Sequence, residues 1–332
     1  MPTFRSHRAL VTAALVLVAS IPFLGIGCGG GKDDNWDHGR SGPKVVVSFA
    51  PIYCFAANVA GGDAQVKNVM TSTGPHDFNP TDKEARLLQN ADFFFINGLG
   101  LDDALADTIK RGSGNKKLKV VDLGSLIPDD KLLTGEDHDH AGHAHHHHGH
   151  DHGNHDPHIW LSPEMARLMT EGIRDELKAA DGANAAKYEA RSAEYVAKLN
   201  ALQADGVAML KAKKDRKLVT FHESLGYFAK AFDLEVAGVV EKKPGVEPNI
   251  NETNELIKMC LEKKVRLIAV EPQYGSNTSA KAILDSLRRA GIADAALVEI
   301  DPLETVPPSA LTPEWYEQKM RSNLEALRDA MK

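Results

Sequence analysis

Lys44–Phe49 reads KVVVSF: a basic residue, three consecutive Val, then Ser and Phe. So short a run, apolar on both faces and bounded by polar residues, suits a strand buried on both sides of a parallel sheet. Three further runs downstream repeat the pattern: Val66–Met70, Ala91–Ile96 and Leu118–Val121. Helical stretches alternate with them. Thr81–Asn90 (TDKEARLLQN) opens on Thr and Asp capping and places Ala85, Leu88 and Ala91 near one face, and Asp102–Arg111 is a second candidate. Strand and helix in alternation predict an α/β lobe built on a parallel sheet.

The second half repeats the theme. Lys217–Phe221, Glu235–Val240, Arg266–Val270 and Leu297–Ile300 read as strands, with helices over Ser224–Phe232, Asn251–Lys263, Ser279–Ala290 and Pro313–Met331. Between the halves, Pro163–Ala212 is rich in Ala, Glu, Lys, Arg and Leu, broken once at Asp181-Gly182. Its apolar heptads do not persist, so a packed linker is expected rather than a coiled coil. The expected architecture is two α/β lobes, 44–162 and 215–332, joined by a long bridging helix in the helical region 163–214, with the binding site in the cleft between the lobes.

Composition narrows the function. In 332 residues, 42% are hydrophobic and 26% charged, which excludes a fibre, a disordered chain or a polytopic membrane protein. A formal charge of −7 leaves no basic footprint, so no nucleic-acid partner is expected. Three Cys cannot make a disulfide framework. Cys54 and Cys260 read as buried thiols, with a disulfide between them as the other possibility.

Arg5 and Arg8 precede an uncharged run, Ala9–Gly27, that ends at Cys28 and the polar, Gly-rich segment 29–43. This reads as an export signal over 1–27 followed by a flexible tether, with an uncleaved membrane anchor as the other reading. Gly25 and Gly27 before a single Cys resemble the lipobox of bacterial lipoproteins, although Gly25 stands where that motif prefers Leu. The resemblance implies a lipid on Cys28 and an extracytoplasmic body on a bacterial membrane.

The 15 His are unevenly placed. Ten fall within Glu136–His155, while His7 and His38 lie in the signal and tether. That leaves His76, His158 and His222 for the folded body. Each sits beside a turn or a strand end, and Asp301 follows Leu297–Ile300. In open α/β sheets, ligands gather beyond the carboxyl ends of the strands. Three imidazoles and a carboxylate make a tetrahedral set for a borderline-soft divalent cation, with Zn²⁺ preferred over the oxygen-seeking Mn²⁺. Glu271 and Glu223 are competing carboxylates, read as supporting groups, and Asp77 and Asp156 flank ligands. Trp160 and Phe78 are read as packing between the lobes. The His tract cannot form a core and reads as a loop that captures metal by many weak arrangements.

GPHDFNPTD (Gly74–Asp82), DPHIWLSP (Asp156–Pro163), FHESLGYFAKAFDLE (Phe221–Glu235) and IDPLE (Ile300–Glu304) resemble, in order and spacing, the signature regions of the metal-binding lipoproteins that feed ABC importers of zinc and manganese. The resemblance covers essentially the whole chain after the tether. It implies a monomeric, non-catalytic receptor that passes its ion to an ABC permease and its ATPase. By the same resemblance His76, His158 and His222 are ligands, Asp301 is the fourth, in a place that the family gives to a carboxylate or to water, and His at position 222 points to zinc. The His tract resembles the His-rich loop of the zinc members. Two rival readings are a zinc hydrolase using Glu223 as general base, against which no HExxH element occurs, and a manganese-binding or adhesin-type member of the same family.

Overall fold

The computed structural model describes residues 1, 36–37, 39–134, 155–241, 247–273 and 278–332. The signal segment, Cys28 and the His tract up to residue 154 lie outside the described residues. Among the described residues no helix is long and apolar enough to cross a membrane.

The first lobe runs β1 (Lys44–Val47), α1 (Ala50–Ala60), β2 (Gln65–Asn68), α2 (Asp82–Leu88), β3 (Phe93–Ile96), α3 (Asp103–Ser113) and β4 (Lys119–Asp122). Its sheet is parallel throughout, in the order β2-β1-β3-β4. After α4 (Pro163–Ala180) and α5 (Ala185–Leu210) the second lobe repeats the plan. It comprises β5 (Lys217–Thr220), α6 (Gly226–Ala231), β6 (Glu235–Val239), α7 (Ile250–Lys263), β7 (Leu267–Val270), α8 (Thr278–Arg289), β8 (Ala296–Glu299) and α9 (Trp315–Ala330), with sheet order β6-β5-β7-β8. The eight expected strands are all present, each displaced by no more than two residues at either end.

The all-apolar strands have their physical reason in three cores. Val45 and Val47 of β1, Phe93 and Phe95 of β3, Leu218 of β5, and Leu267 and Ala269 of β7 enter one continuous core with residues of α1, α4, α5 and α9. The alternate residues face outward. Val46, Phe94 and Ile96 pack beneath α2 and α3, whereas Val219, Ile268 and Val270 pack with residues of α7 and α8. A strand covered on both faces has no polar side, which is why period-2 alternation is invisible in its sequence. The inner core contains residues from both sheets, so the lobes share it rather than meeting across a polar seam.

Three expectations change in detail. The linker is two helices, not one: after α4 the chain turns at 181–184, where Asp181 accepts from the Tyr188 hydroxyl at 2.8 Å, and α5 packs back along α4. Helix α1 escaped the periodicity reading because APIYCFAANVA is apolar nearly all round, as suits a helix packed on α4, α5 and its own sheet. The expected tether is already docked at Trp36, which is 4% exposed in the outer core of the first lobe. There Gln65 accepts from the Asp37 amide and donates to its carbonyl, both at 2.9 Å. Cys54 and Cys260 are free, buried thiols, and burial pushes them up to about 12 and about 11 respectively.

Candidate metal centre

The carboxyl ends of both sheets supply the site. His76 lies in the turn after β2, closed by the Asp77 amide on the Gly74 carbonyl at 3.2 Å. His158 precedes the short 3-10 turn Ile159–Leu161 that leads into α4. His222 comes two residues after β5, and Glu304 five residues after β8. One ligand atom from each of these four residues lies within 4.8 Å of all the others.

The distances have the scale of a coordination shell. His76 Nε2, His158 Nε2 and His222 Nε2 stand 3.5, 3.6 and 3.5 Å from Glu304 Oε1, and His76 Nε2 is 3.4 Å from His158 Nε2. A tetrahedral ion 2.0–2.1 Å from each donor would hold the donors about 3.3–3.4 Å apart. Glu304 is 3% exposed, and its Oε1 has no hydrogen-bond partner although it is buried. Such an atom normally carries a heavy desolvation cost, which a bound cation would remove.

Behind the donors, other groups set the imidazole orientation. His158 Nδ1 lies 2.7 Å from Asp156 Oδ1, which also accepts the His158 amide at 2.9 Å. His222 Nδ1 lies 2.6 Å from Glu271 Oε1, and Gln273 holds the other Glu271 oxygen at 2.9 Å. A carboxylate at Nδ1 fixes the tautomer that leaves the Nε2 lone pair for a metal. Glu271 is thus a supporting group, and neither it nor Glu223 belongs to the four-residue cluster.

The same carboxylates make the pocket basic in its metal-free state. Burial opposes charge on His158, but Asp156 and then Glu304 outweigh it and raise the imidazole to about 9. Burial likewise opposes charge on His222, and Glu271 with Glu304 raises it to about 10. For Glu304 burial is again the largest single influence, yet the three surrounding imidazoles hold its carboxyl well below the usual range.

The turns bearing the donors are braced to one another. Asn97, just past β3, donates to the Pro157 carbonyl at 2.9 Å, and the Tyr227 hydroxyl of α6 donates to the Asp156 carbonyl at 3.1 Å. Trp160 is fully buried between the lobes, with its ring edge-on to Phe49 at 4.8 Å. Its indole N–H donates to the Pro302 carbonyl at 2.8 Å, tying the His158 turn to the Glu304 turn. Gly74 packs closely on the Glu304 turn: a Cβ there would come 3.2 Å from both Glu304 Cβ and Oε2, so a larger residue would need Glu304 to give by a few tenths of an ångström. His76, whose side chain is 23% exposed, is the donor that faces solvent.

Of the four residues expected to bind metal, the structure brings together His76, His158 and His222 and leaves Asp301 outside. Asp301 Oδ1 accepts the Leu303 amide at 2.8 Å and Oδ2 pairs with Lys319 Nζ of α9 at 2.9 Å, so one oxygen is occupied within its own turn and the other by α9. Glu304 takes the fourth place. The sequence signal for it was the segment IDPLE itself, which carries two carboxylates. Position at the strand end favoured Asp301, but an Asp before Pro is also a turn former. His155, the one tract residue described, bridges to Thr134 and closes the base of that loop.

Residues 45–330 match the model of the family described as zinc-uptake complex component A, periplasmic. The chain is 32% identical over 296 residues to the zinc-binding protein AdcA of Streptococcus pyogenes serotype M3, an alignment covering 86% of this chain and 55% of that protein. It thus spans about half the length of this streptococcal relative. With the high-affinity zinc uptake system protein ZnuA of Bacillus subtilis the identity is 28% over 320 residues, covering 95% of this chain and 97% of the other. The fold is that of the Mn²⁺ complex of the solute-binding protein FpvC from Pseudomonas aeruginosa, with a TM-score of 0.72 at 24% identity over 88% of this chain and 98% of that one. Two four-stranded parallel lobes, a helical linker and a family match over nearly the whole described body lead to one conclusion: the chain belongs to the periplasmic zinc-uptake component A family.

Proposed function

We propose that this protein is the solute-binding receptor of an ABC importer, which captures one Zn²⁺ outside the cytoplasm and presents it to the membrane permease and its ATPase. The ion is held by His76, His158, His222 and Glu304, and it is cargo rather than a catalytic cofactor. The observation that carries this reading is the convergence of three Nε2 atoms on the buried Glu304 Oε1 at 3.5–3.6 Å. Three nitrogens and one oxygen suit Zn²⁺, whereas Mn²⁺ favours oxygen-rich sets. The names of the AdcA and ZnuA relatives point the same way. A hydrolytic role is disfavoured because Glu304 fills the fourth position and Glu271 is engaged by His222, leaving neither an open coordination position nor a free general base in the cluster. The receptor acts as a monomer, held at the membrane by a lipid on Cys28.

Titration calorimetry on the chain lacking residues 136–154 tests the reading. One tight Zn²⁺ equivalent per chain is expected to survive, with only weak equivalents removed by the deletion. Loss of the tight equivalent would move the receptor site into the His tract and refute the pocket assignment.

A further inference from the structure

Glu304 is preceded by a backbone conformation that few residues adopt unaided. Leu303 has φ +63°, one of four non-glycine residues with positive φ among the described residues. A non-glycine residue persists there only where its surroundings impose it. The surroundings converge on Asp301. Its Oδ1 accepts the Leu303 amide at 2.8 Å, and its Oδ2 meets Lys319 Nζ of α9 at 2.9 Å. One turn further along α9, Asn323 brackets the Asp301 backbone, accepting its N–H at 2.9 Å and donating to its C=O at 2.7 Å. Trp160 then holds the next carbonyl, that of Pro302.

We propose that Asp301 is a positioning residue: by fastening the Leu303 amide and the Lys319 ammonium, it locks the left-handed turn that aims the Glu304 carboxylate at the three imidazoles. Asp301 therefore acts on the metal entirely through Glu304. Through Lys319 and Asn323 it also makes α9, on the far side of the turn, part of what fixes the fourth ligand. The inference rests on the ligand set proposed above.

The test uses the chain lacking 136–154 and the variants D301A, D301N, K319M, E304Q and D301A/E304Q. Zn²⁺ affinity is measured by chelator competition, and the visible spectrum of the Co²⁺ form reports coordination. D301A is expected to weaken Zn²⁺ by about 10–100-fold, the usual cost of losing an outer partner of a ligand, while retaining one metal per chain. D301N, whose side-chain oxygen can still accept the Leu303 amide, should recover most of that loss, and K319M should lose less than D301A. E304Q should cost more than D301A and change the Co²⁺ spectrum. The double variant should then match E304Q alone to within about twofold, because a group acting only through Glu304 is silent once Glu304 is gone. Losses that multiply in the double variant, or a D301A protein that binds like the parent, would overturn the proposal. E304Q binding like the parent would instead refute the ligand set beneath it. Should D301A fail to fold, K319M and K319M/E304Q carry the comparison: K319M weaker than the parent and the double variant matching E304Q are expected, and K319M binding like the parent or losses that multiply would overturn the proposal.

Discussion

His158 and His222 each face a carboxylate at Nδ1 and Glu304 at Nε2, and this pairing governs what the metal must displace. With His158 raised to about 9 and His222 to about 10, both imidazoles carry a proton at neutral pH in the metal-free protein. Zn²⁺ needs neutral imidazole, so binding must expel those protons. At pH 7.5 about two protons should leave per Zn²⁺ bound, measurable by calorimetry in buffers of different ionisation enthalpy. Affinity should consequently fall as pH is lowered from about 9. No net proton release, or affinity flat from pH 8.5 to 6.5, would contradict the pairing. The same shifts bear on the stability of the metal-free fold. Raised His values stabilise it fully below their ordinary value near 6.5, and that contribution is lost as pH rises through about 9 to 10. The depressed Glu304 acts at the other end: its contribution is present above the ordinary carboxylate range and is lost in acid. At this scale the convergence of His76, His158 and His222 was legible because, among the described residues, the one further His is His155 at the loop base. Glu304 was not legible, since the choice between the two carboxylates of IDPLE depends on Leu303 turning left-handed and on Lys319 and Asn323 reaching back from α9, contacts with partners 18 and 22 residues away in sequence.

At the scale of elements, strands were easier to read than helices because a run of Val or Phe buried on both sides has few other uses. Helices were found where they are amphipathic, as in α3 and α8, and α1 was missed where burial on all sides erased the stripe. The linker was seen as helical but not as a hairpin, since Asp181-Gly182 marks a break without saying that α5 returns along α4. Gly206 in α5 shows how closely that helix packs on α9 and the end of α6. It is buried, and a Cβ there would press on the Phe232 ring of the residue ending α6 and lie 2.8 Å from Leu324 Cδ1 of α9. Overpacking of this kind costs about 1–3 kcal/mol. Gly206→Ala should therefore lower the thermal midpoint of the metal-free protein by several degrees, read by circular dichroism, with Zn²⁺ affinity unchanged. A midpoint equal to the parent's would show that the α5–α6–α9 seam is looser than described, and a large loss of affinity would show that the seam reaches the metal site.

For the whole molecule, alternation of strand and helix carried the two-lobe plan, but the shared core was beyond reach of any one segment. Tyr188, Tyr195 and Leu199 of α5 and Tyr316 and Leu324 of α9 join the same core as Val45 and Leu218, which belong to different sheets. That core holds the lobes together, so that His76 and His158 from one side meet His222 and Glu304 from the other at the carboxyl edges of both sheets. The central claim is that this meeting point is a mononuclear N₃O site. X-ray absorption at the zinc edge, on the chain lacking 136–154 loaded with one equivalent, tests it most directly. Four light donors at about 2.0–2.1 Å, three of them showing the outer-shell scattering of imidazole rings, are expected. E304Q should alter the oxygen contribution while D301N leaves it in place. A six-coordinate oxygen shell, fewer than three imidazoles, or a spectrum unchanged by E304Q would contradict the account.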